Sequence, residues 1–302
     1  MKTDKLKIWS KAFRLRTLPL SLACAVMGSF LALFDGGFRW SVFILTICTI
    51  TFLQILSNLA NDYGDAVSGA DRPDRDGPLR VTATGMVTQK EIKKMIAVFI
   101  SLSVISGTML IFIGLRHMAW SKILIYFGLG LASIIAAIKY TVGKNPYGYK
   151  GLGDVFVFIF FGLVGVIGTY YLHTNWFDEH VIVPAAVIGL MSTAVLNINN
   201  LRDITADTES GKKTLPVQYG FDFARKYHIL LVGTALILTI AYSIIHYFTP
   251  WQFLYLITLP LFIQNARKVY NHKTSMELNK ELGILSLTTF LFALTFGLGL
   301  IL

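Results

Sequence analysis

Hydrophobic residues gather in nine runs along this chain, near 17–34, 40–60, 95–115, 119–138, 155–172, 181–198, 228–248, 251–265 and 282–302, and polar residues are largely confined to the connections between them. Each run approaches the ~20 residues that an α-helix needs to cross a bilayer core. The pattern predicts one all-α domain over residues 1–302, a polytopic membrane bundle of about nine transmembrane helices. The fourth and eighth runs are the shortest, crowded by Lys122 in one and by Pro260 and Gln264 in the other. Ahead of the first run, basic residues alternate with Leu6, Ile8, Trp9, Phe13 and Leu15. This predicts an interfacial amphipathic helix over residues 1–16 that anchors the chain at the membrane surface.

Composition agrees with the pattern. Of 302 residues, 54% are hydrophobic and only 15% charged, with a mean hydropathy of +0.61, which excludes an ordinary soluble protein. The net charge of +10 suggests nucleic acid until its distribution is read: of the 27 Lys and Arg, all but Arg39, Arg116 and Lys122 fall on alternate connections. That is a topology signal. By the positive-inside rule the protein is integral to the cytoplasmic membrane with a cytoplasmic N-terminus, an odd number of spans puts Leu302 outside, and no nucleic-acid partner is required. The first run continues as a full span followed directly by another, so no cleavable signal peptide is expected. Cys24 and Cys48 lie inside predicted spans and read as small core residues rather than as a disulfide or metal ligands.

Candidate chemistry concentrates in two acidic stretches at the cytoplasmic ends of apolar runs: NDYGDAVSGAD, 61–71, and NNLRDITAD, 199–207. In a continuing helix Asn199, Asp203 and Asp207, four residues apart, drift only ~40° per step and share a face; Asn61 and Asp65 repeat the spacing. One DxxxD at the end of a membrane helix is commonly a solvated loop, but two copies of N-x-x-x-D supply paired clusters of hard oxygen ligands suited to Mg²⁺ and substrate phosphates. The negative end of each helix dipole adds to the attraction for a cation. Beyond this motif the stretches diverge, with Gly69 where the other has Asp207 and Asp71 two positions later.

The polar connection that begins with the first stretch interleaves Asp62, Asp65, Asp71, Asp74 and Asp76 with Arg72, Arg75 and Arg80, a mixture suited to a metal-bound polyphosphate or to self-paired charges. In KYTVGKNPYGYKGLGD, residues 139–154, Tyr140, Tyr147 and Tyr149 are either interfacial aromatics or a loop that folds over a planar aromatic substrate, with Lys139 nearby. Gly162, Gly165 and Gly168 form a stripe for close helix packing. Lys212 and Lys213 follow the second acidic stretch, either to neutralise a diphosphate or as topology markers. Residues 228–302 carry no chemistry readable from sequence. A secondary transporter would more often place its carboxylates near mid-membrane, and a passive scaffold gives no reason for two matched acidic stretches.

NDYGDAVSGAD followed by DRDGPLR, then YTVGKNPYGYKGLGD, then NNLRDITADTESGKKTLPVQYG, together resemble the signature segments of the UbiA superfamily of intramembrane prenyltransferases. The GPLR and PYGYKGLGD segments are most similar to its 1,4-dihydroxy-2-naphthoate branch. The resemblance implies helices around a central cavity open sideways to lipid, and two Mg²⁺ ions bridging the acidic motifs and a polyprenyl diphosphate. Carried onto this chain, Asn61, Asp65, Asn199, Asp203 and Asp207 become metal and diphosphate ligands, with Asp62 and Asp71 as further acids and Arg72, Arg80, Arg202, Lys212 and Lys213 near the diphosphate. It further implies attack on the prenyl group by the ring carbon of an aromatic acid, with loss of CO₂, in menaquinone biosynthesis. Tyr140 or Tyr149 would hold the ring or steady an allylic cation, and Lys139 would lie near the acceptor carboxylate. Relatives in the superfamily use other acceptors, such as 4-hydroxybenzoate, homogentisate or haem.

Overall fold

The long apolar runs are helices in the computed structural model, which describes residues 2–69, 81–82 and 84–302. Helix α1, Lys2–Ala12, precedes α2, Leu18–Phe34; α3, Trp40–Ser68; α4, Gln89–Gly114; and α5, Trp120–Lys139. The fifth crossing is composite: α6, Gly153–Val157, a π-helix, Phe158–Ile167, and α7, Gly168–Thr174. Then come α8, Ile182–Arg202; α9, Ile204–Glu209; α10, Leu215–Ile245; α11, Leu259–Asn271; and α12, Ser275–Ile301. No strand occurs among the described residues.

Eight of these elements are long and apolar enough to cross a bilayer. The eighth run of the sequence is the weak one, as its Pro260 and Gln264 suggest. It folds as a 3₁₀-helix, Pro250–Thr258, leading into α11. The steeper rise of the 3₁₀ segment lets these residues reach about 37 Å, enough for a ~30 Å core. The chain is a multi-pass, all-helical membrane bundle.

Burial sorts the helices. In α8, 72% of the apolar window is buried, against 11% in α5, so α8 is the central post and α5 faces lipid. The core around α8 contains Leu31, Tyr170, Ile188, Met191, Phe262 and Phe292, each fully buried. Outward-facing Phe112, Leu124, Leu131, Ile237 and Ile244 remain exposed, as lipid contact requires. The π-helix touches α8 backbone to backbone: a Cβ on Gly162 would lie 2.7 Å from the Ala185 carbonyl oxygen and 2.8 Å from the Cα of Gly189. Gly168, by contrast, faces open space. The expected three-glycine stripe is therefore broken, because a π-helical turn is wider and positions three apart do not stay on one face.

The N-terminal helix is joined to the bundle more closely than a surface anchor. Ile8, Trp9 and Phe13 pack against the cluster of Leu56, Leu59, Ile92 and Phe99 where α3 and α4 meet. The chain then turns at Arg14, whose left-handed backbone (φ 50°) redirects it into the bundle.

Candidate active site

The last turns of α3 present Asn61 and Asp65 on one face, and the helix stops at Gly69, whose N–H donates to the Asp65 carbonyl and whose φ of 73° suits glycine. Within these turns Gly64 admits a neighbour: a Cβ there would lie 2.6 Å from Thr141 Oγ1 and 2.7 Å from its carbonyl oxygen. Thr141 thereby reaches α3, donating to the Ala60 carbonyl at 3.1 Å and to Asn61 Oδ1 at 3.2 Å.

The second stretch continues α8 with one irregularity. Helix α8 ends at Arg202 and α9 begins at Ile204, yet the N–H groups of Asp203 and Asp207 still donate to the carbonyls of Asn199 and Asp203. The helical register therefore persists, and Asn199, Asp203 and Asp207 all line one small cavity with Asn61 and Asp65, of about 30 Å³.

Gly211 (φ 73°) then turns the chain back on itself. This brings Lys212 into the cavity, where Nζ stands 3.1 Å from both Asp65 Oδ1 and Asp207 Oδ1. Tyr149 donates to Asp65 Oδ1 at 2.8 Å, and its ring lies 4.8 Å from the Lys212 ammonium. The three aspartates are almost fully buried. Burial, with the nearby Asp203 and Asp65 carboxylates and against the pull of Lys212, pushes the Asp207 carboxyl up to about 6. The Tyr140 hydroxyl is held well above the ordinary tyrosine range by burial and by the carboxylates of Asp207, Asp154 and Asp65, so it stays neutral.

Beneath the acid cavity lies an apolar chamber of about 250 Å³, lined by α2, α3, α5, α8 and the composite crossing. The two share walls at Arg14, Asn61, Tyr140 and Asn199. Tyr147 and Phe160 line the chamber; Tyr147 stacks on Phe156 at 4.0 Å and donates to the Ala136 carbonyl at 2.9 Å. The arrangement places a charged, oxygen-rich compartment directly against a greasy one.

The model of the UbiA prenyltransferase family matches residues 21–300. The chain belongs to this family. It is 42% identical over 303 residues to the 1,4-dihydroxy-2-naphthoate octaprenyltransferase of Haemophilus influenzae, covering 100% of this chain and 98% of that protein. Identity to the Escherichia coli protein of the same name is 44% over 266 residues, covering 88% and 86%. Among solved structures, the apo UbiA homolog from Aeropyrum pernix K1 shares the fold at a TM-score of 0.69 and 16% identity, over 94% of this chain and 96% of that one. A UbiA homolog from Archaeoglobus fulgidus bound to GPP and Mg²⁺ aligns at a TM-score of 0.57 and 15% identity, over 96% and 99%.

Against this family background, the fold gathers most but not all of the residues singled out by sequence. Asn61, Asp65, Tyr140, Tyr149, Asn199, Asp203, Asp207 and Lys212 meet at the acid cavity. Lys139 is exposed beside Gly143, and Lys213 is exposed, its backbone N–H donating to the Tyr149 carbonyl and its carbonyl accepting from Gln218. Neither lines the acid cavity or the apolar chamber; their sequence neighbours Tyr140 and Lys212 do so instead. Asp62, one position round from Asn61, points instead at Arg14 and pairs with it. Asp71, Arg72 and Arg80 lie outside the described residues. Arg202 has turned to Asp203, Asn199 and Asn279.

Sequence reading missed Arg14, Thr141, Asn200 and Thr214, all of which line the acid cavity, and Arg16, which feels the charges of Arg14, Arg202 and Asp203. The two arginines were masked by the topology signal of the basic N-terminus. Among the described residues no three His, Cys, Asp or Glu side chains form a ready metal-binding group. The donors nonetheless fit Mg²⁺: they are carboxylates, carboxamides and the buried, unpartnered Thr214 Oγ1, and two of the carboxylates already share one cation, Lys212.

Proposed function

We propose that the protein transfers a polyprenyl group from a polyprenyl diphosphate to 1,4-dihydroxy-2-naphthoate, releasing diphosphate and CO₂ and giving demethylmenaquinol in menaquinone biosynthesis, in a Mg²⁺-dependent reaction on the cytoplasmic side of the inner membrane. The observation that carries this reading is the shared wall between the acid cavity, where Asp65 and Asp207 hold one cation, and the apolar chamber. Full-length identity to a naphthoate octaprenyltransferase supports the choice of acceptor, and the segregation of basic residues supports the sidedness.

In this reading Asp65, Asp203 and Asp207, with the amide oxygens of Asn61 and Asn199 and with Asp71, hold the metal. When bound, Mg²⁺ supplies electrostatic stabilisation of the diphosphate leaving group. Lys212 moves its ammonium from the two carboxylates onto diphosphate oxygens, and Arg14 meets anionic groups at the junction of the compartments. The allylic C–O bond breaks with its electron pair leaving on the diphosphate. The ring carbon that bears the carboxylate forms the new C–C bond, and departure of CO₂ returns a bonding pair to the ring. Tyr140, neutral and at the junction, offers its π face to the developing allylic cation. The walls of the chamber keep water from that cation.

The test is product formation by purified protein with naphthoate, a polyprenyl diphosphate and Mg²⁺, beside EDTA and the Asp65→Asn and Asp203→Asn variants. A decarboxylated prenylnaphthoquinol that needs Mg²⁺ and disappears in both variants is expected. Prenylation of 4-hydroxybenzoate in preference to naphthoate would refute the acceptor. Full activity in both variants would refute the metal site.

A further inference from the structure

Helix α12 belongs to the part of the chain in which sequence shows no chemistry, yet its Asn279 bonds Arg202, which in turn grips Asp203 of the acid cavity. The Arg202 guanidinium donates from Nε to Asp203 Oδ1 at 2.8 Å and from Nη2 to Asp203 Oδ2 at 2.7 Å, and Nη2 also donates to Asn199 Oδ1 at 2.8 Å. Its far edge, Nη1, donates to Asn279 Oδ1 at 3.1 Å. Arginine has only donors, so Asn279 must present its carbonyl oxygen. Arg202 and Asp203 are almost fully buried, and a guanidinium is a rigid plane. An acceptor on one edge therefore fixes the rotation of the other edge, which grips both oxygens of Asp203 and orients the Asn199 amide.

We propose that Asn279 and Arg202 are positioning residues for the metal site, with Asn279 acting through Arg202 to aim the Asp203 carboxylate and the Asn199 carboxamide. The inference rests on the metal-binding reading above, and it moves Arg202 from substrate contact to ligand support. A carboxylate has about four lone-pair sites. Two are used by Arg202, one on each oxygen, which fixes the plane of the carboxylate. The anchor itself is fixed. Two residues along α12, the buried Glu281 accepts from Asn265 Nδ2 at 2.8 Å and pairs with Lys268 Nζ at 3.1 Å, while Asn265 bonds His228 at 3.1 Å. This chain ties α12 to α10 and α11 and sets its rotation, so Asn279 meets Arg202 from a held helix.

The experiment measures Mn²⁺ binding by electron paramagnetic resonance, in the presence of inorganic diphosphate, on full-length protein in nanodiscs. Asn279→Leu is expected to weaken Mn²⁺ binding about tenfold, the lower end of what loss of a ligand's support costs, without lowering the melting temperature of the metal-free protein. Asn279→Asp, which keeps the acceptor, restores binding, and Lys280→Ala, one residue away and exposed, leaves it unchanged. The proposal is overturned if Asn279→Leu binds Mn²⁺ like wild type, or if its loss of binding tracks a loss of stability that Asn279→Asp does not repair. Wild type that binds no Mn²⁺ overturns the metal site as a whole, a separate outcome from failure of the Asn279 variants alone.

Discussion

Lys212 and Asp207 show how single side chains set the working range of the acid cavity. Asp207 is raised to about 6 chiefly by burial, with Lys212 opposing the rise. A protonated carboxyl does not ligate a cation, so below pH 6 each further unit removes about nine-tenths of the remaining ionised Asp207. Mn²⁺ affinity measured against pH should fall on the acid side of about 6. In Lys212→Met that fall should begin at higher pH, because the nearest positive charge is gone; a midpoint that stays put or moves down would contradict the pairing. Stability has the opposite sign. The folded carboxyl is raised above its ordinary 3.8, so its contribution to the metal-free protein is full below that value and is lost as pH rises through about 6. The sequence spacing brought Asp65, Asp203 and Asp207 into view because a period of four is a helical face. It gave no means of telling Lys212 from Lys213, since only the turn at Gly211 decides which of the two faces inward.

Among the elements, the composite fifth crossing departs furthest from a simple reading. Apolar length predicted a span but not its π-helical middle, since the i→i+5 pattern leaves no trace in hydrophobic content. The consequence is a testable contrast between glycines. Gly162→Ala drives a methyl into the Ala185 carbonyl and the Gly189 Cα and should destabilise the protein by about 1–3 kcal/mol, the usual cost of overpacking. Gly168→Ala faces open space and should be close to neutral in the same thermal denaturation series. Gly64 makes the parallel case at the site. Gly64→Ala pushes Thr141 from α3 and should lower activity about tenfold, because a small displacement of positioned ligands is costly. Activity equal to wild type would mean the Thr141–Asn61 bond is dispensable.

For the whole molecule, two independent distributions support the proposed sidedness. Basic residues gather at the end that carries the acidic motifs, whereas Trp40, Trp120, Trp176 and Trp251 sit at element ends on the opposite side, exposed as an interfacial aromatic belt requires. A cysteine at Lys139 should react with an impermeant thiol reagent only in inverted membrane vesicles, and one at Trp176 only in intact cells; labelling of both from one side would overturn the proposed topology. Sequence by itself determined the class of fold, the approximate number of crossings and the two acidic motifs, because hydrophobic run length and helical period are local quantities. It also showed residue patterns similar to those of the family. Tertiary structure alone decided which cations reach the acids, since Arg14 and Lys212 arrive through backbone turns at Arg14 and Gly211. It also decided that Arg202 pairs with Asp203 and that Asn279 on the last helix bonds Arg202, because contacts across 77 residues of chain depend on how α8 and α12 pack and leave no periodic mark in the sequence.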